Sequence, residues 1–254
     1  MKIHHLRNAT LVIEVGDKFI LVDPMLGEAG TIMPFTFFRF KAIKNPIVQL
    51  PHNSQTILEK VTHCLITHPH PDHIDQAGKK FLRERNIPVI CSEADAGDYH
   101  TKGLNVTQKL KYWKSQQFLG GTITGIPARH GYGFISAFMG NVMGFHLSLP
   151  RSPSIYISAD TIYTVDVESV LATFKPDVAV VACGSAQLDI GKPLLMRMDD
   201  IIKFVKKSPG RVIANHLESL NHCPTTRTQL REHLKQEGLL DKVLIPDDGE
   251  TILV

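Results

Sequence analysis

Four side chains of metal-ligand type fall within six positions in the run His68-Pro69-His70-Pro71-Asp72-His73. Imidazole nitrogens and a carboxylate suit zinc, manganese or iron. The two prolines stiffen the segment and so lower the entropy lost when its ligands are fixed. The run follows the apolar stretch Cys64-Leu65-Ile66 and precedes a helical pattern, which places it at a strand-to-helix turn, where α/β proteins present ligands at the end of a sheet. Cys64, Cys91, Cys183 and Cys223 stand far apart with no C-x-x-C spacing, arguing against a disulfide framework and against a thiolate zinc site. They read as buried small hydrophobes. Cys183-Gly184-Ser185 follows a strand, but no general base accompanies it, so a nucleophile there is not expected.

The elements that must hold this run are read from periodicity. Residues 2–6, 10–15 and 19–22 read as strands, and Gly16-Asp17 between the last two signals a hairpin. The chain therefore opens as an antiparallel meander. Residues 24–53 sustain no period of 2 or 3.6 and gather Phe35, Phe37, Phe38 and Phe40, the pattern of a long loop that serves as a lid or plugs its own core. Because its phenylalanines cannot all be satisfied on an exposed loop, the segment is expected to cover the site.

Beyond it come a strand at 63–66, a helix at 76–85, a strand at 88–91, a short helix after Ser92 and strands near 106–110, 117–119 and 122–127. The second half has strands at 142–149 and 154–158, a helix at 165–174, a strand at 177–182, a helix at 198–206, a strand at 211–215, a helix at 224–236 and strands at 243–245 and 251–254. Each half is a β-rich stretch followed by β/α units. Two mixed sheets packed face to face, with helices outside, bury the apolar side of both kinds of layer.

Composition sets outer limits. At 254 residues, 43% apolar and 21% charged, the chain is globular and fits one large domain. A net charge of +3, spread singly, supports no phosphate-backbone partner. No apolar run reaches the roughly 18–20 residues that span a bilayer, so no membrane insertion is expected. The amino terminus lacks the apolar stretch of a signal peptide, which makes the cytoplasm the default location.

The run at 68–73 matches H-x-H-x-D-H in full, and with it the chain resembles the metallo-β-lactamase superfamily over nearly its whole length. The resemblance implies an α/β fold, the αββα four-layer sandwich, as a single domain over residues 1–254. Asp23, in Ile20-Leu21-Val22-Asp23-Pro24, is similar to the aspartate that closes an early strand and supports the ligand loop. His130, Asp160 and His216 end strands in the family's order. Alone, His130 or His216 would be an ordinary polar residue, and Asp160 before Thr161 a helix cap. The resemblance implies that His68, His70 and His130 hold one ion, that Asp72, His73 and His216 hold another, and that Asp160 bridges them. It thus implies two divalent metal ions, zinc or manganese. Two such cations lower the pKa of a shared water and polarise the scissile bond, so that hydroxide attacks without a protein nucleophile. Asp72 faces this water in the family and can orient it or accept its proton.

Met1-Lys2-Ile3-His4-His5-Leu6-Arg7-Asn8-Ala9-Thr10, Val22-Asp23-Pro24-Met25-Leu26 and Asn215-His216-Leu217-Glu218 resemble the L-ascorbate-6-phosphate lactonase-like hydrolases, themselves similar to N-acyl-phosphatidylethanolamine phospholipase D enzymes. That implies a small ester, lactone or phosphodiester substrate, with a phosphorylated molecule favoured. Arg129, beside His130, is then either a phosphate partner or a solvent-facing side chain. Glu218, Asn221 and His222 would line the rim of the site, or Asn221 and Pro224 would only shape a helix entrance. His4, His5, His52 and His63 read as structural or surface residues. Three rivals remain. A di-iron oxygen-reducing protein would carry a carboxylate at position 70 and a flavin domain, and a metal-dependent nuclease would need a basic exosite. A binding protein whose ancestral site has lost catalysis is the third; every expected ligand is retained here, which leaves metal occupancy without turnover open. The expected partner is a small molecule and not nucleic acid; the metal, the natural substrate and a homo-oligomeric state stay open.

Overall fold

Val178-Ala179-Val180-Val181-Ala182 is buried at every position, as a parallel strand covered on both faces must be. Its side chains divide with period two. Val178 and Val180 enter a cluster with Ile3, Leu11 and Ile13 from the opening meander. Ala179 and Val181 pack instead with Val167, Ile201 and Leu230 of the helices outside. That division recurs throughout the computed structural model, which describes residues 1–254.

The first sheet takes β1 (Lys2–Arg7), β2 (Thr10–Val15), β3 (Lys18–Val22), β4 (His63–Leu65), β5 (Val89–Ser92) and β6 (Val106–Leu110) in sequence order. The second takes β7 (Ser115–Phe118), β8 (Gly121–Pro127), β9 (Met143–Ser148), β10 (Ile155–Ile157), β11 (Val178–Ala182), β12 (Arg211–Asn215) and β13 (Val243–Leu244), and β14 (Thr251–Leu253) crosses back to pair with β1. In each sheet an antiparallel meander gives way to parallel strands. Helices α2 (Gln76–Glu84) and α3 (Glu93–Thr101) cover the first sheet through Leu82, Ala96 and Tyr99. Helices α4 (Val165–Thr173), α5 (Met198–Lys207) and α6 (Arg227–Gln236) cover the second. This is the αββα sandwich expected from the sequence, and no helix is long and apolar enough to cross a membrane.

Three local readings change. The helix expected at 224–236 starts at Arg227, because the Thr226 hydroxyl accepts the Gln229 N–H while the Gln229 side chain accepts the Thr226 N–H; that capping box leaves Pro224 outside. The strand expected at 117–119 runs from Ser115 to Phe118, since Leu119 and Gly120 both adopt positive φ and form a two-residue hairpin turn. A helix at Ser54–Leu58 (α1) and a 3-10 turn at Gly133–Phe138 are too short to show a period.

An ion network ties the second half to the first. Arg227 donates to Glu218 (2.7 Å), to Asp248 (2.6 Å) and to the Pro246 carbonyl (2.8 Å), and Asp248 also meets His5 of β1 at 3.3 Å. Burial opposes the charge on Asp248, but His5 and Arg227 outweigh it and hold the carboxyl below its ordinary value. Asp248→Asn is therefore expected to destabilise the fold by about 1–3 kcal/mol at neutral pH. A depressed carboxyl contributes above its unfolded value near about 3.9 and loses that contribution as pH falls through its folded value. Urea unfolding should show a gap between the two proteins that is constant from about pH 7 to 5 and closes below it.

Candidate metal centre

The ligand-type residues stand where strands end. The run at 68–73 follows β4, His130 follows β8, Asp160 follows β10 and His216 follows β12. At two of these ends the chain leaves the strand through the left-handed region, with φ of 57° at Ala159 and 58° at His216, and it does the same after β3, with φ of 47° at Asp23. Such a conformation is costly for residues other than glycine and persists where the surroundings over-determine it. The turn at 68–73 is closed by His73 and Ile74 N–H groups on the His70 carbonyl. It is fixed to both sheets by Asn8 donating to the Asp72 carbonyl (2.9 Å) and by Met143 N–H donating to the Thr67 carbonyl (3.0 Å).

Two groups of ligand atoms result: His68, His70 and His130 in one, and Asp72, His73, Asp160 and His216 in the other. Asp160 Oδ2 lies 3.3 Å from His73 Nε2 and 3.5 Å from both His216 Nε2 and His130 Nε2, so it stands between the groups. His216 Nε2 is 3.4 Å from Asp72 Oδ2. Atoms about 2.1 Å from a tetrahedral ion lie roughly 3.4 Å from one another, which is the spacing found. The Nε2 atoms of His68, His73 and His216 and Oδ1 of Asp160 are buried without a hydrogen-bond partner. Nitrogens and oxygens this close that still do not hydrogen-bond are aimed at shared points rather than at each other. The residues fit divalent ions.

The outer nitrogens are occupied. His73 Nδ1 pairs with Asp23 Oδ2 at 2.8 Å, and Asp23 also accepts the Thr67 N–H and hydroxyl. His68 Nδ1 meets the Thr67 hydroxyl, His130 Nδ1 donates to the Leu194 carbonyl, and His216 Nδ1 lies 3.5 Å from Cys223 Sγ. With Nδ1 engaged, each ring presents Nε2 inward. In the ion-free site burial drives His68 well below its ordinary pKa and His130 to about 4. Burial also opposes charge on His73 and His216, yet Asp160 with the other nearby acidic groups lifts His73 to about 10 and His216 well above normal. Asp72 and Asp160 are correspondingly held low against their own burial.

The family model of the beta-lactamase superfamily domain matches residues 18–216, a span holding all seven of these side chains. The chain belongs to the metallo-β-lactamase superfamily. It is 32% identical over 254 residues to the UPF0173 protein YddR of Bacillus subtilis, covering 99% of each. It is 25% identical over 226 residues to a UPF0173 metal-dependent hydrolase of Flavobacterium johnsoniae, covering 87% of this chain and 91% of the relative. The crystal structure of an isothiocyanate hydrolase from Delia radicum gut bacteria superposes with a TM-score of 0.90 at 32% identity, covering 100% of this chain and 99% of that one. The protein is a metal-dependent hydrolase.

Above the two groups the hydrolase has a pocket of about 180 Å³, floored by His70, Asp72 and His130 and walled by Phe35, Met139, Leu188, Leu194 and His222. Phe35 meets His222 edge-on, with ring centroids 4.7 Å apart. No lysine or arginine lines it. Arg129 is exposed, and its guanidinium makes no hydrogen bond or ion pair; of its two readings the solvent-facing one matches its position, and it is not among the residues lining the pocket. Glu218 is also turned away, bound to Arg227. Ser185 donates to the Met196 carbonyl, and burial pushes the Cys183 thiol up, so neither is poised as a nucleophile.

The loop at 24–53 reaches the pocket through Phe35, and its anchors were not legible in the sequence. Buried Arg7 holds the base of the loop through the carbonyls of Met25, Gly27 and Val48. Asn221 clips its middle: its side chain accepts the Phe35 N–H and donates to the Thr36 and Lys41 carbonyls, and it exchanges hydrogen bonds with Asn45. It thus neither lines the rim nor shapes the α6 entrance. Asp189 receives the N–H groups of Phe37, Phe38 and Arg39 and the Thr36 hydroxyl. Phe35 and Phe40 are half-buried, whereas Phe37 and Phe38 remain exposed, so the loop reaches the site through Phe35 and leaves two of its phenylalanines in water.

Reconstituted protein is expected to hold about two ions per chain by elemental analysis. Because ligating imidazoles must be neutral, while the neighbouring carboxylates favour the protonated forms of His73 and His216, uptake should release protons and weaken as pH falls. Calorimetry in buffers of different ionisation enthalpy measures that release. Asn221→Ala should leave ion content unchanged but raise KM by about tenfold, equivalent to roughly 1.4 kcal/mol, as Phe35 loses its anchor.

Proposed function

We propose that His68, His70 and His130 hold one divalent ion, that Asp72, His73 and His216 hold a second with Asp160 between them, and that the hydrolase cleaves small uncharged molecules at an electrophilic carbon. Esters, lactones and isothiocyanates are such molecules. The observation that carries this reading is the pocket wall of Phe35, Met139, Leu188 and Leu194, with no cation among the lining residues. A phosphorylated substrate would bring at least one negative charge to that wall and find no guanidinium or ammonium to meet it. The similarity to a protein described as an isothiocyanate hydrolase makes isothiocyanates the first compounds to test.

Zinc or manganese ions bound there would supply a water acidified toward neutrality and positive charge for the atom on which negative charge develops. The chain supplies the remainder. Asp72 lies on the pocket floor, where its carboxylate can orient that water and take its proton. Asp23 keeps the His73 ring in one orientation and one tautomer. His222 offers its ring to a substrate heteroatom from the wall. Covering about 120 Å² of apolar substituent there would contribute roughly 3 kcal/mol to binding and keep bulk water from the reacting carbon.

Asp72→Asn is expected to melt normally but lose about 10²–10⁴ in kcat. A panel of alkyl and aryl isothiocyanates, aryl esters, lactones, sugar-phosphate lactones, phosphodiesters and RNA, run with zinc- and manganese-loaded protein, tests the substrate class. The uncharged carbon electrophiles should give the highest kcat/KM. A preference for phosphorylated compounds or RNA would refute the reading, and turnover of nothing would favour a metal-binding protein.

A further inference from the structure

Half of the large apolar side chains left in water belong to the segments around the pocket. Phe38 is 91% exposed, Phe138 74%, Phe134 67% and Phe37 51%, with Met33 and Ile190 also open. They belong to three segments that meet around the pocket mouth. Phe35, Met139 and Leu188 from these segments line the same pocket. The Asp189 carboxylate binds the backbone at 37–39, and Ile135 lies against Gly191.

Charge is nearly absent from the middle of this face. Residues 33–38 and 131–143 contain no ionisable acid or base other than Tyr132. Arg39 is engaged with the Gln187 side chain at 2.8 Å and with the Asp189 carbonyl, and Asp189 is surrounded by donors. Six large apolar side chains at this exposure present on the order of 800 Å², more than the largest patch of a typical monomer and close to one partner's share of a standard interface.

The shape selects the occupant. Phe38 is a projecting knob and the pocket mouth, walled by Phe35, Met139 and Leu188, is an apolar hole beside it. Knob and hole on one face let a two-fold rotation place each knob against the other copy's hole, a contact that closes after two chains. An anionic lipid surface would call for a cluster of about four to eight free lysines and arginines; here Arg39 is tied to Gln187 and Asp189, and Lys41, Lys44, Arg129 and Lys192 are dispersed over three separate segments. We infer that a second copy of this chain docks on this face, so that the partner's Phe38 and the partner's Phe138 roof the pocket mouth.

The inference rests on the pocket being the active site, as proposed above, but its test needs no turnover. Light scattering of the full chain at about 10–100 µM should give twice the 28.3 kDa of one chain. The double variant Phe38→Asp, Phe138→Asp should halve that mass with far-UV circular dichroism and ion content unchanged, since both side chains already face water. A wild-type monomer overturns the inference, as does a dimer whose mass the double variant leaves intact. A monomer that co-sediments with phosphatidylglycerol vesicles overturns it in favour of a lipid surface. Dimers formed through this face by a protein inactive on every substrate would leave the inference standing and refute only the proposed function.

Discussion

Burying four imidazoles and two carboxylates within a few ångströms of one another is unfavourable unless each polar atom finds a partner. Here the outward nitrogens find theirs in Asp23, Thr67, Leu194 and Cys223, while the inward ones converge without hydrogen bonds. The protein thus satisfies half of each ring itself and leaves the other half for a cation. The same closeness raises the His73 and His216 imidazoles and holds the Asp72 and Asp160 carboxyls low, because each charge is met by an opposite one. The left-handed turns at Asp23, Ala159 and His216 follow from the same demand, because a strand that ran straight on would carry its last side chain past the common point.

Neither half of the chain can build this arrangement alone. The first sheet contributes the turn at 68–73 and its support from Asp23; the second contributes His130, Asp160 and His216. The apolar layer between the sheets, from Ile3 and Leu65 to Phe145 and Val180, therefore sets the separation of the two ligand groups as well as stabilising the fold. On the open side, the loop at 24–53 adds a wall that the sandwich lacks. Arg7, Asn221 and Asp189 hold that loop by its backbone, which leaves its side chains free to define what enters.

How much of this could be read in advance depended on sequence distance. The turn at 68–73 was legible because its ligands are contiguous and flanked by a strand and a helix of ordinary periodicity. His130, Asp160 and His216 needed the resemblance, since a single histidine or aspartate at a strand end is commonplace. The strands were legible because alternation is local, whereas the 3-10 turn at 133–138 was not, because one turn shows no period. Asn221 was noticed for its position after the last ligand, yet its partners at 35, 36, 41 and 45 lie some 180 residues away. No local pattern encodes such a clip. Arg129 stayed open for the converse reason: adjacency to His130 along the chain says nothing about direction, and neighbours in an extended segment point to opposite sides.

The return of β14 to the first sheet has a consequence during synthesis. Lys2 pairs with Leu253 and Ile3 with Ile252, so one edge of β1 waits for a strand made more than 240 residues later. At ribosomal rates of about 5–20 residues per second that wait is roughly 10–50 s. Throughout it the unpaired backbone edge of a strand that will end inside the sheet is open to pairing with other nascent chains. Crowded polysomes are therefore where this protein is most exposed to aggregation, and chaperones that shield strand edges would act on the N-terminal meander before the second sheet exists.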